Sequence, residues 1–281
     1  MMRICKMQII AFFAVLLAFF SVAHADNVTG FEDLSLKVTI TVNKDGTVHV
    51  SEEIQLAVSP SVAELYKQSL RSTRLTIDDW KKTTGSKNLR YHVLGANVTP
   101  LNTRVFPQPL QRFQFVDKSI AVIAVEYDTS APIFVMREVG PRRTAYTLIG
   151  EALSFENAPE GQVLPENTVL AIRVPDNSRA DLSKIYPRPT YPSQPEGSKG
   201  QDGLISSDVY MWNATGGAIP LTPFDFTFET EKSLDEEVSE YFKELRGTIT
   251  SIVFSNYGLL FAVVGAILLL LFFALKQARA I

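Results

Sequence analysis

Cysteine is almost absent from the chain: the 281 residues contain one, Cys5. Histidine is scarce as well, with His24, His49 and His92 the only three. Cys5 precedes the first apolar run, so it cannot carry the lipid of a lipoprotein. If that run is removed as a leader, the remainder has no disulfide, no thiolate nucleophile and no cysteine metal site. His49 and His92 are 43 positions apart, in no metal-ligand spacing. HExxH, GxSxG, SxxK, Walker-type and GxGxxG patterns are all missing. Excess positive charge is missing too. The chain has 27 basic and 30 acidic residues. Four of the bases, Arg3, Lys6, Lys276 and Arg279, lie outside the region holding every acid, which leaves 23 basic against 30 acidic residues there, a net −7. Such a balance excludes a basic nucleic-acid binder. No cofactor is expected, and no catalytic residue.

Two apolar segments stand out. Arg3 and Lys6 lead into Ile9–Val22, a run too short to span a bilayer. Ala23-His24-Ala25 then has the small-x-small pattern read by signal peptidase. Residues 1–25 are therefore expected to be a signal peptide cleaved between Ala25 and Asp26. An uncleaved N-terminal anchor is the alternative. Near the other end, Gly247–Leu275 carries no charge. Residues 250–275 are expected to form a transmembrane helix, with Tyr257 at an interface and Lys276 and Arg279 on the cytoplasmic side. The expected topology is single-pass in the cell membrane, N-terminus outside, with residues 276–281 as a cytoplasmic tail.

Between these segments, residues 26–230 read as a mainly β, antiparallel sandwich ectodomain. Leu34, Leu36, Val38, Ile40 and Val42 alternate with polar residues, as do Val48, Val50, Ile54, Leu56 and Val58. Both strands are apolar at even positions, so partner numbers must sum to an even number. A two-residue Asp45-Gly46 turn would pair Val42 with His49 and split the apolar rows between faces. A three-residue loop, Lys44-Asp45-Gly46 with Gly46 left-handed, pairs Val42 with Val48, Ile40 with Val50 and Leu36 with Ile54. That register is predicted. It leaves Glu52 on the apolar face opposite Val38. A rim position or pairing with a basic group is the plain explanation for this inward acid, and a functional buried acid the sharper one. Thr41, Asn43, Asp45, Gly46 and Glu52 also mimic the spacing of a calcium loop, but strands rather than helices flank them.

A helical insertion is expected over 60–84. Ser61 and Glu64 have capping-box spacing, and Thr76-Ile77-Asp78-Asp79-Trp80 begins a second helix with acids in its first turn. Asp78 and Asp79 are adjacent on that helix and do not face each other, so they form a cap rather than a catalytic pair. Strands follow at Leu89–Val93, Arg112–Val116, Ser119–Tyr127, Pro132–Val139, Arg142–Ile149, Ala152–Glu156, Thr168–Val174, Ser207–Trp212 and Phe224–Glu229. About ten strands are expected in all. Arg137, Arg142 and Arg143 cluster at the Gly140-Pro141 turn as a solvated hairpin end. Residues 186–203, rich in Pro and Gly, read as a surface loop, with Tyr186 and Tyr191 as its recognition candidates. Residues 231–246 read as a juxtamembrane helix with Leu234, Val238, Tyr241 and Leu245 on one face.

Three Asn-x-Ser/Thr sequons, at Asn27, Asn97 and Asn213, lie in the part expected outside the membrane and are glycosylation candidates.

Ile40-Thr41-Val42, Asp45-Gly46-Thr47-Val48-His49-Val50-Ser51-Glu52, Leu164-Pro165-Glu166-Asn167-Thr168, Val174-Pro175-Asp176-Asn177 and Trp212-Asn213 resemble segments of uncharacterised prokaryotic, archaeal-like exported β-sandwich proteins anchored in membranes. That resemblance implies an exported sandwich and no catalytic residue. The expected function is a surface binding or structural module. Membrane lipid is met through one helix, with a protein partner or self-association beyond it. An accessory subunit of a transport, export or glycan-assembly complex is the alternative, supported by Ala262 and Ala266 four apart on the span. An anchored hydrolase is a third reading.

Overall fold

The computed structural model describes residues 30–72, 75–95, 98–112, 117–192, 204–253, 261 and 263–269. The chain divides into two units, one ending at Thr230 and one beginning at Glu231.

The first unit is mainly β. In chain order its elements are β1 (Phe31–Val42), β2 (Val48–Val58), α1 (Pro60–Leu70), α2 (Ile77–Thr84), β3 (Pro100–Pro107), β4 (Gln111–Arg112), β5 (Ser119–Thr129), β6 (Phe134–Gly140), β7 (Arg143–Leu148), a 3-10 turn (Gly150–Ala152), β8 (Glu156–Ala158), β9 (Gly161–Leu164), β10 (Thr168–Arg173), β11 (Ser178–Asp181), β12 (Leu204–Ser206), β13 (Val209–Asn213), β14 (Ile219–Pro220) and β15 (Thr227–Glu231). A seven-stranded sheet runs β13-β10-β1-β2-β5-β3, with β4 also on β5. A five-stranded sheet runs β12-β11-β15-β7-β6, and β14-β9-β8 form a third, small one.

The opening hairpin has the predicted register. Val42 pairs with Val48, Ile40 with Val50, Leu36 with Ile54 and Val38 with Glu52. The Asn43 N–H donates to the Thr47 carbonyl at 2.9 Å, which closes a three-residue loop. Gly46 takes the left-handed conformation with φ 79°. Asp45 Oδ1 accepts from the Thr47 N–H and hydroxyl, so this acid serves the turn.

Alternation puts Leu36, Val38, Ile40, Val50, Ile54 and Leu56 on one buried face. Tyr210 and Trp212 of β13 meet Phe226, just before β15, at 5.2 and 5.7 Å between ring centroids. The seven- and five-stranded sheets thus share one core, extended by Tyr66 of α1 and Trp80 of α2. With no cysteine past residue 5, burial carries the stability, at about 1.5–3 kcal/mol per fully buried large side chain.

Several expectations need correction. The large sheet is mixed: β1 pairs with β10 in parallel, Leu36 beside Thr168 and Ile40 beside Ile172. Fifteen strands are present among the described residues, many of two to four residues, because bulges and turns divide the apolar runs. Leu89–Val93 is not a strand; its Arg90 N–H turns back to Asn88, and only Val93 bridges, to Leu153. Ala152–Glu156 begins in a 3-10 turn, and its strand starts at Glu156. Helix α1 starts two residues earlier than the Ser61–Glu64 spacing implies: Ser59 is the N-cap, with no side-chain cap bond, and Pro60 fits the first turn. Helix α2 does carry a capping box, between Thr76 and Asp79. The described half of the 186–203 loop is paired: Thr190 and Tyr191 bond to Met211, and Trp212 Nε1 donates to the Pro187 carbonyl at 2.7 Å.

The second unit holds α3 (Leu234–Val253), longer than the 231–246 expected. Its Leu234, Val238, Tyr241 and Leu245 are exposed. Among the described residues no helix is long and apolar enough to cross a membrane. Of the expected span 250–275, only 250–253, 261 and 263–269 are described. The signal peptide with Ala25 and Asp26, the sequons at Asn27 and Asn97, and the tail 276–281 lie outside the described residues.

Candidate functional site

An acid on the core face of a central strand is costly unless its oxygens are bonded. Strand β2 lies between β1 and β5, and Glu52 stands mid-strand between Val38 and Val125, fully buried. Tyr127 of β5 is paired with Val50, two residues along, which brings it diagonally to Glu52. Its hydroxyl donates to Glu52 Oε1 at 2.6 Å.

The other partners come from the segment 86–95, which follows α2 and lies over this part of the core. The His92 N–H donates to Glu52 Oε1 at 2.9 Å, and His92 Nδ1 lies 2.9 Å from Oε2. The Val93 N–H donates to the Tyr127 hydroxyl oxygen at 3.1 Å. Both carboxylate oxygens and the phenol are therefore engaged. The Phe155 ring lies 5.2 Å from the imidazole, and Tyr91 meets Tyr127 edge-on at 5.0 Å. Burial, then the charge of Glu52, pushes the Tyr127 phenol far above its ordinary range.

The segment is tied down elsewhere as well. Asp33 accepts from the Ser86 hydroxyl and from the Lys87 N–H. The His92 carbonyl accepts from the Ser154 N–H, and the Leu94 N–H donates to the Ala152 carbonyl. Two inward or edge carboxylates, Asp33 and Glu52, thus gather a stretch that forms no strand of its own. Chemically the Glu52 cluster is a clamp: three donors converge on one acid, and all three groups are buried. The inward acid is not at the rim; it is paired with a basic group, as the plain reading allowed. Its partner is a histidine. Only two histidines follow residue 25, and an inward acid needs donors; those two facts were the available signal for His92.

The other histidine is at the surface. His49 Nδ1 lies 2.8 Å from Asp128 Oδ1, with both side chains more than two-fifths exposed. Asn102 Nδ2 donates to Asp128 Oδ2 at 3.0 Å. The Asn102 bond and then the His49 bond hold the Asp128 carboxyl below its usual range. Of the three arginines at the β6–β7 turn, Arg143 lies 3.6 Å from Glu229 of β15. Asp78 and Asp79 occupy the first turn of α2, as a cap. Among the described residues no group of three or more His, Cys, Asp or Glu side chains could hold a metal ion. Asn213 is exposed at the end of β13.

No family model matches the chain, and no curated protein matches it. Among solved structures it is aligned with the Fcho1 Mu homology domain of Danio rerio with bound Eps15 peptide. That alignment has 8% identity and covers 70% of this chain and 79% of that one, with a TM-score of 0.16. A superposition that poor carries no argument about fold or function.

Proposed function

We propose that this chain is an exported β-sandwich module anchored in the cell membrane by one C-terminal helix, serving as a surface binding or structural protein. Glu52 is the observation that supports the reading. The one acid whose position hinted at chemistry has both oxygens committed to holding the 86–95 segment over the core. Its role is architectural, and the working surface is then the sheet edges and loops. The leader-like start and the uncharged 247–275 stretch supply the export and the anchor.

Protease added to intact cells tests the topology. The module predicts digestion of the β unit with a C-terminal tag protected; a protected β unit with the tag shaved off inverts the orientation and ends the proposal. An accessory-subunit role is the second reading. It is favoured by Val135, Met136 and Val139, exposed on β6 at one edge of the five-stranded sheet. Exchanging residues 250–275 for an unrelated apolar helix should then abolish co-purification with the complex, and retained assembly would refute it.

A further inference from the structure

Asn213 closes β13 in a conformation that leaves one half of its side chain committed and the other free. Its Oδ1 accepts from the Thr215 N–H at 3.0 Å and also from the Thr215 hydroxyl. The turn continues through Gly216 and Gly217, where the Gly217 N–H donates to the Ala214 carbonyl. Asn213, Thr215 and Gly216 are exposed. A Cβ built on Gly216 or Gly217 would meet nothing within 4 Å, so the space beside the turn is open. Ala214, between them, is buried and holds the turn to the sheet: its N–H donates to the Thr168 carbonyl and its carbonyl accepts from Gly217. The backbone of the sequon is thereby fixed, while the amide nitrogen Nδ2 has no hydrogen-bond partner among the described residues.

From this we infer that Asn213 is an N-glycan acceptor. The inference rests on the exported topology proposed above. Residue type and spacing meet the acceptor requirement, Asn-Ala-Thr with no proline between. The geometry adds the rest. Two donors on Oδ1 draw electron density from the amide and make the Nδ2 proton easier to remove. The group that must react makes no hydrogen bond within its own turn. The co-substrate is a lipid-linked oligosaccharide diphosphate, delivered by a membrane transferase. Nδ2 attacks the anomeric carbon, and an N–C bond forms as the bond from that carbon to phosphate oxygen breaks. The lipid diphosphate leaves with the electron pair, and the amide proton passes to a base of the transferase. Nothing is oxidised or reduced.

The test uses the full chain in a glycosylating host, with Asn27 and Asn97 changed to Gln. A short flexible reporter sequon is placed just after the cleavage point. Glycopeptide mass spectrometry is the readout. The expected result is one glycan on the Asn213 peptide, retained in Thr215→Ser and lost in Thr215→Ala and Asn213→Asp. Asp at 213 preserves the oxygen that accepts from Thr215, so equal trypsin resistance of Asn213→Asp and the parent chain separates loss of the acceptor from loss of the fold. A modified reporter beside an unmodified Asn213 overturns this inference and leaves the topology standing. An unmodified reporter, with the β unit resistant to external protease on intact cells but digested after lysis, overturns both.

Discussion

Glu52 holds three donors, and its substitutions should rank by how many they orphan. Glu52→Leu strands the His92 N–H, the His92 ring and the Tyr127 hydroxyl in the core. It should cost about 3–5 kcal/mol. Glu52→Gln keeps an acceptor at Oε1 and can turn its amide N–H toward Nδ1 once the imidazole changes tautomer. Its cost should be smaller, about 1–2 kcal/mol. Urea midpoints would check the ranking, and equal losses would contradict the clamp. Tyr127 adds a pH signature. Its phenol is held far above the ordinary range by burial and by Glu52. The folded state therefore keeps a proton that the unfolded state releases near pH 10, so stability is full below that value and falls as pH rises past it. Tyr127→Phe should flatten this alkaline slope while costing about 1–3 kcal/mol at neutral pH, because the Val93 N–H loses its acceptor. Tyr66, also raised by burial, should leave part of the slope in place.

At the scale of elements, two turns are specified by single residues. Gly46 has φ 79°, and a Cβ there would lie 2.7 Å from the Phe134 carbonyl oxygen. Gly46→Ala should cost more than about 1 kcal/mol, from left-handed strain and that contact together. A variant as stable as the parent in urea would refute this. Thr76 caps α2 and shares a box with Asp79. Thr76→Ala should cost about 1 kcal/mol. The Asp79 carboxyl is held low by its bonds from Thr76, so the box contributes above the ordinary carboxylate range and is lost as pH falls through the lower folded value. Without the Thr76 hydroxyl, Asp79 should titrate nearer its ordinary range, which carbon-detected NMR can follow. Both turns were legible because their signals are local: a period of two and a glycine in one, four consecutive residues in the other. The clamp was not. Leu89–Val93 alternates like a strand, but its backbone groups bond to a carboxylate, a phenol and the 150–155 stretch, none of them near in sequence. The carboxylate that takes the His92 N–H is 40 residues away. Glu52 itself was legible as misplaced, and its partner was not.

For the whole molecule, the division at Thr230 predicts that residues 26–230 fold without the rest. That fragment should unfold cooperatively at the urea midpoint of the full chain, and a fragment without cooperative unfolding would contradict the division. The layered β class could be read from spacing. The parallel β1–β10 contact could not, since alternation reports which face is buried and is silent about which strands become neighbours.

That contact has a kinetic consequence. Leu36 and Thr168 become neighbours across about 130 residues of chain, and closing so long a loop is slow compared with forming a hairpin. The β1–β2 pair can form as soon as both strands are available, but one edge of β1 stays open until β10 has been synthesised and delivered. A nascent chain therefore carries an apolar ribbon with an unsatisfied flank until β10 emerges, and a holding factor that covers it would shorten the time in which two such chains can stick together.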